Sequence, residues 1–259
     1  MQTLDEGTFL AFESAMESAS SLMMEEELGE AGPLYEEFVE NMRAHAILYL
    51  LVDAKPEKFF QDLIVSAFAW RHYLRRCAEN HYRDYCSALS RFDAFFDALA
   101  GDHISLAVEL VELGPRDWMQ GDEYEEDFCW VRFLGVFAAQ GNAAGPELDQ
   151  LLARAETSLQ GLSSGRLEVC RALRAGDSDA FATAFAELAL GWEKESEAVA
   201  LRAEEEAVIA AGTQVFVEGL AVLRLAQRIG ISVEQPFRGC PPLAQRPRRN
   251  PPIADPFTD

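Results

Sequence analysis

The sequence predicts an all-α fold: a single compact array of roughly ten helices stacked as hairpins, followed by a proline-rich C-terminal tail. Three observations carry that prediction. Apolar residues recur at three- and four-residue steps along most of the chain, the period of a helix with one buried face. β-Branched residues never alternate with polar ones over a useful length, so strand patterning is thin. Glycine–aspartate pairs recur at Gly101 and Asp102, Gly121 and Asp122, and Gly176 and Asp177. In such a pair the glycine closes one helix and the aspartate caps the next. The hairpins have no fixed repeat period. Residues 1–235 are expected as one helical domain, either a single unit or two tightly fused halves, 1–85 and 86–235, with residues 236–259 as an extended tail.

Taken in order, residues 8–28 read as a helix with Phe9, Phe12, Met16, Ala19 and Met23 on one face. Glu25, Glu26 and Glu27 fall at its C-terminal end, where the helix dipole disfavours negative charge. That placement fits either a frayed solvated end or a partner contact. Residues 29–33 read as a break, and a helix over 34–52 is expected to bury Phe38, Met42, Ile47 and Leu51. Pro56 suits the first turn of the next helix, over 57–79.

That third helix carries Phe59, Phe60, Phe68, Trp70 and Tyr73 and leads into a segment rich in arginine and histidine. His72 and His81 are nine residues apart, a poor spacing for two ligands on one helix. Arg71, Arg75, Arg76 and Arg83 are expected to donate to the acidic helices. Basic residues interleaved with aromatics also occur in nucleic-acid binders, but the overall charge argues against that use.

Residues 86–100 and 103–113 read as a helical hairpin closed by Gly101 and capped by Asp102. The acidic run 122–127 then precedes 128–137, which is apolar on every side and therefore a buried helix. Glu123, Glu125, Glu126 and Asp127 near its start suit the dipole. With Tyr124 among them they also make an interface patch. Helices follow over 147–159, 166–175 and 179–189, and the acidic stretch 192–211 either continues onward or bends near Glu204.

Residues 208–231 are the most regular segment. Val208, Ile209, Gly212, Val215, Phe216, Gly219, Leu220, Leu223, Ala226 and Ile229 form one stripe, Gln214, Glu218, Arg224 and Arg228 mark the other side, and Gly230 stops the helix. A glycine inside a helix costs about 1 kcal/mol against alanine, so Gly212 and Gly219 are read as points where other helices cross closely. The tail holds seven of the eleven prolines together with Arg238, Arg246, Arg248 and Arg249. It is expected to be an arm without helix that folds back on an acidic body.

Composition narrows the function. The chain is 259 residues long and 49% hydrophobic, enough for a large core. No run is expected to cross a bilayer, and the first residues lack a signal-peptide pattern. Five cysteines without a CxxC pair fit reduced thiols and a cytoplasmic location. Forty-four acidic side chains against twenty-two basic ones give a net charge of −22. Such a surface repels nucleic acid and anionic membrane and attracts basic partners. The charge is also sorted, because residues 1–42 hold eleven acidic side chains and no lysine or arginine. The sequence has no glycine-rich phosphate loop, nucleophile elbow, zinc-protease motif or paired CxxC. It therefore reads as a protein that binds, with no catalytic residues, cofactor or metal.

Three segments together resemble a known family. They are the run from Arg166 to Leu173, the stretch from Gly176 to Leu188, and the helix of Glu218, Gly219 and the following apolar residues through Ile231. This pattern, over about 90–245, is similar to the immunity protein 49 family of bacterial polymorphic toxin systems. The resemblance implies a protein that binds and neutralises a cognate toxin and carries over no catalytic residues. Complementary charge points to a basic toxin such as a nuclease. The candidate toxin-binding residues are Asp122, Glu123, Tyr124, Glu125, Glu126 and Asp127, with Glu25, Glu26 and Glu27. Two other readings stand beside this one: a helical adaptor with an unrelated partner, and a metal enzyme built on His72 and His81.

Overall fold

A computed structural model describes residues 23, 26–202, 207–233, 235–245 and 253–257. Nine helices of eight residues or more make up the described fold: α1 (Leu28–Leu51), α2 (Pro56–Glu79), α3 (Asp93–Ala100), α4 (Ile104–Leu113), α5 (Glu125–Gln140), α6 (Gly145–Ser158), α7 (Gly165–Ala175), α8 (Ser178–Arg202) and α10 (Val217–Arg228). Two short ones, α9 (Ala207–Gly212) and α11 (Pro242–Gln245), complete the set. Among the described residues there is no strand, only two isolated bridges.

The long antiparallel pair α1 and α2 forms one wall, with Tyr35, Phe38 and Ile47 packed against Phe59, Leu63, Trp70 and Tyr73. The hairpin of α3 and α4 lies across α2, and α10 packs on α3. The predicted buried helix is α5, whose Phe128, Cys129, Val131, Phe133 and Leu134 are each at most 1% exposed. It sits between α4 and α6. Gly135 lets α4 approach, since a Cβ there would lie 2.7 Å from a Val111 methyl. The last hairpin, α7 and α8, turns at Gly176, which is left-handed (φ 67°) as expected. Asp177 caps α8 by accepting from the backbone N–H groups of Asp179 and Ala180 at 3.0 Å.

Several boundaries differ from the sequence reading. The predicted helix over 8–28 falls largely outside the described residues. Helix α1 begins at Leu28, so Gly29, Gly32 and Pro33 lie within it. Gly32 is there for contact: a Cβ would sit 2.9 Å from Cys86 Sγ and 3.0 Å from Tyr73 Oη. Pro33 is exposed and removes one hydrogen bond near the helix start. Glu27 consequently precedes a helix N-terminus, where its charge is favoured. Leu51, expected in the core, is 48% exposed at the end of α1. Residues 85–91 form two 3₁₀ turns in place of the first part of a helix. The left-handed residue of the next turn is Asp102 (φ 61°), not Gly101, and His103 caps α4 through Nδ1.

The segment expected as one helix over 208–231 is broken at residues 213–216 into α9 and α10. Val208–Arg228 is, at 21 residues, long and apolar enough by composition to cross a bilayer, contrary to the expectation, and 61% of its most apolar window is buried inside the fold. Gly212 is exposed with open space around it, so no helix crosses there. Gly219 is buried, but the nearest atoms a Cβ would meet are those of the Phe216 ring, one turn back in the same segment. Arg224, expected on the polar side, is 4% exposed. Its guanidinium donates to the carbonyls of Ala244 and Gln245 at 3.3 Å and lies over Phe60.

Those carbonyls belong to the tail, which does contain a helical turn, α11. The tail folds back as expected: Cys240 and Ala244 are buried, Gly239 accepts from the Phe216 N–H at 2.7 Å, and Arg238 pairs with Glu193 and Glu197. Further on, Asp255 pairs with Arg71, and Phe257 packs edge-on against Phe38 and stacks on His72.

Candidate functional site: an acidic groove

A groove of about 730 Å³ lies between α1, the 3₁₀ turns and the loop that enters α5. Glu36, Val39 and Glu40 come from α1, at the spacing of one helix face. Tyr85, Ser90 and Arg91 come from the 3₁₀ turns, Asp93 and Ala94 from the start of α3, and Trp70 from α2. The opposite side is Gly121, Asp122, Glu123, Tyr124 and Asp127. Six carboxylates thus meet one guanidinium.

Local chemistry explains how the 121–124 loop is presented. Gly121 takes a positive φ of 98°, a conformation most side chains avoid. The Glu123 carboxylate turns inward and accepts from the N–H groups of Ser90 (2.8 Å) and Met119 (3.0 Å), while Trp118 Nε1 donates to the Glu123 carbonyl at 2.8 Å. With Glu123 stapling the loop to the second 3₁₀ turn, Asp122 is left exposed and Tyr124 is 74% exposed.

The sequence-predicted acids therefore separate. Asp122, Glu123, Tyr124 and Asp127 reach the groove. Glu125 pairs with Arg154 at 2.5 Å and Glu126 accepts from Ser158 Oγ at 2.7 Å, so both face α6. Asp127 pairs with Arg166 at 2.6 Å. Glu25 lies outside the described residues. Glu26 and Glu27 stand before α1, where Arg76 donates to the carbonyls of Glu26 and Met23. This arginine, expected to meet carboxylates, meets backbone. Arg71 and Arg75 do meet one, Glu109 of α4.

Glu36, Glu40, Tyr85, Arg91 and Asp93 were not singled out from the sequence, although the spacing of Glu36 and Glu40 marks them as one face. Burial raises the pKa of Glu36, with Arg91 pulling it back down. Burial also raises that of Glu40, with the charges of Asp93 and Glu36 adding to it. A cation entering the groove relieves both, so the arrangement favours positively charged occupants. Among the described residues no three His, Cys, Asp or Glu side chains converge as a metal site. His72 hydrogen-bonds Tyr35 Oη at 2.5 Å, and His81 sits in the turn after α2.

The family model for immunity protein 49 matches residues 46–235. The chain belongs to the immunity protein 49 family. No curated protein and no solved structure matches it. The span of the immunity protein family includes Trp70 and the groove wall from Tyr85 to Asp127, whereas Glu36 and Glu40 precede it. It also includes Arg166 and Glu218, from two of the segments that carry the sequence resemblance. Family membership supports an immunity role and, with it, a toxin as partner.

Proposed function

We propose that this immunity protein binds a cognate bacterial toxin in the cytoplasm and that the acidic groove receives a basic element of that toxin, covering its active or substrate-binding surface. The observation that carries the reading is the groove itself, where six carboxylates converge in one cavity of a chain with net charge −22. Nuclease toxins hold phosphates with basic residues, so a carboxylate-lined surface competes with their anionic substrate. The protein acts by occupancy, without catalysis. Complementary charge accelerates encounter, and part of the affinity is then lost as salt rises.

Co-purification with the toxin encoded by the neighbouring gene tests this. Asp122→Lys combined with Glu40→Lys is expected to weaken capture at least tenfold, about 1.4 kcal/mol or more. Undiminished capture by a folded double variant would remove the groove from the interface.

A further inference from the structure

Four observations in the groove concern what kind of cation it takes. First, Arg91 already stacks on Tyr85, its guanidinium carbon 3.8 Å from the ring centre. Second, three of the six carboxylates are committed elsewhere: Asp93 to Arg43, Glu123 to the loop N–H groups, and Asp127 to Arg166. Third, Glu36, Glu40 and Asp122 form no ion pair among the described residues, and neither does Arg91. Fourth, Trp70 lines the groove at 1% exposure, and its indole N–H is shut off from water and has no acceptor.

A guanidinium stacked on an aromatic face, within electrostatic reach of Glu36 but in no ion pair, is an internal stand-in for an external one. Arg91 is itself exposed, and Tyr85 is 44% exposed, so the ring remains reachable when Arg91 swings away. A planar guanidinium stacks on a ring and forks onto a carboxylate, which the compact ammonium of lysine does not match. The Trp70 N–H, shut off from water, offers an entering ligand no polar contact, so the Tyr85 ring and the carboxylates are what meet the cation. A metal ion does not match that pair of contacts.

We propose that Tyr85 and Glu36 form a subsite for an arginine side chain of the toxin, occupied in the free protein by the chain's own Arg91. This rests on the reading that the groove faces the toxin. Arg91 then screens the groove from other cations until an arginine presented on a complementary surface displaces it.

The probe is N-acetyl-arginine amide, with N-acetyl-lysine amide as comparison, titrated into the full chain carrying 3-fluorotyrosine. The ¹⁹F resonance of Tyr85 is assigned through Tyr85→Phe. The arginine amide is expected to shift that resonance, to bind about fivefold more tightly to Arg91→Ala, and to bind at least fivefold better than the lysine amide. Glu36→Gln, a substitution of the same shape, is expected to weaken it. No shift of Tyr85, no gain in Arg91→Ala, or equal binding of the lysine amide overturns the subsite. The toxin reading is separable. If the amide binds as expected while toxin capture survives charge reversal in the groove, the subsite stands and the groove is not the toxin interface. If capture is lost while Tyr85 does not respond to the amide, the groove holds the toxin without this subsite.

Discussion

Arg166 at the start of α7 grips Glu218 at the start of α10 with both arms of its guanidinium, Nε to Oε1 at 2.9 Å and Nη2 to Oε2 at 2.8 Å. Its remaining nitrogen holds Asp127 of α5 at 2.6 Å. One side chain thus ties three helices together, and two of its three members come from the segments by which the family is recognisable. Glu218 is 18% exposed and Arg166 38%, so the pair is only partly screened by water. Glu218→Ala leaves Arg166 with Asp127 alone and is expected to cost about 1–2 kcal/mol. Arg166→Met leaves two carboxylates facing each other and is expected to cost more, about 2–3 kcal/mol. Urea denaturation of both single variants and the double variant measures the coupling. Additive effects would show that the fork contributes nothing.

Gly212 and Gly219, the two glycines on the predicted stripe of the 208–231 segment, are expected to respond in opposite ways. Gly219 is buried against the Phe216 ring, so Gly219→Ala forces that ring to move, at a cost of about 1–3 kcal/mol. Gly212 ends α9 in open space, so Gly212→Ala is expected to be neutral or to stabilise by up to about 1 kcal/mol. Thermal unfolding of the two variants compares them directly, and an equal loss at both positions would contradict the packing described.

These glycines also show where periodicity stops being informative. The spacing of Gly212 and Gly219 is that of one helical face, but the chain turns at residues 213–216 and removes the shared face. Most helices were legible because the signal is local: the stripes of α2 and α7 and the uniform apolarity of α5 follow from their own residues. Arg224 was not, because its burial depends on the carbonyls of Ala244 and Gln245, about twenty residues away and beyond several prolines. The groove divides in the same way. Asp122 and Tyr124 were legible as an acidic run around an exposed tyrosine. Glu125 and Glu126 belong to the same run, but each helical residue rotates by about 100°, and the first turn of α5 carries both toward α6. Glu36 and Glu40 become part of the site only because α1 packs opposite that loop.

Loop staple and loop surface make separable predictions. Glu123→Gln keeps an acceptor oxygen for only one of the Ser90 and Met119 N–H groups and sets an NH2 donor against the other. It is expected to cost about 1 kcal/mol of stability. Asp122→Asn, at an exposed side chain, is expected to leave stability within about 0.5 kcal/mol. Both changes remove one charge from the groove. Measuring toxin capture alongside urea denaturation therefore separates loss of charge from loss of loop geometry. If capture depends on loop geometry, Glu123→Gln weakens it more than Asp122→Asn does.

Acid dependence is expected at Asp97. This carboxylate is fully buried at the centre of α3, accepting from Ser66 Oγ at 2.5 Å and from Arg43 Nε at 2.8 Å. Burial pushes its pKa up to about 6, with Arg43 and Ser66 opposing that rise. The folded state therefore binds the proton more readily than the unfolded chain, whose aspartates titrate near the ordinary value of about 3.9. The stabilising effect of this proton is complete below the unfolded pKa and is lost as pH rises through about 6. The stability of the native chain relative to Asp97→Asn is then expected to increase by about 2–3 kcal/mol between pH 7 and pH 4. A difference that stays constant with pH, or shrinks toward pH 4, would show that the Arg43 charge outweighs burial.

The cysteines are expected to be silent in the native state. All five are buried and free, and none is more than 5% exposed. Burial raises the thiol of Cys77 to about 11 and those of Cys86, Cys129 and Cys240 to about 12, and Cys170 is raised as well. Thiolate is the reactive form, so at pH 8 both its scarcity and the lack of access oppose labelling. A disulfide reagent is expected to modify no thiol quickly in buffer and all five in denaturant. Cys86 is the most informative, because it packs against Gly32 of α1 behind the groove. Its labelling would report separation of α1 from the 3₁₀ turns, so binding of the toxin across both is expected to slow labelling of Cys86 more than that of Cys240, which belongs to the tail. Equal slowing at the two sites would indicate general stabilisation, and no slowing at Cys86 would place the toxin elsewhere.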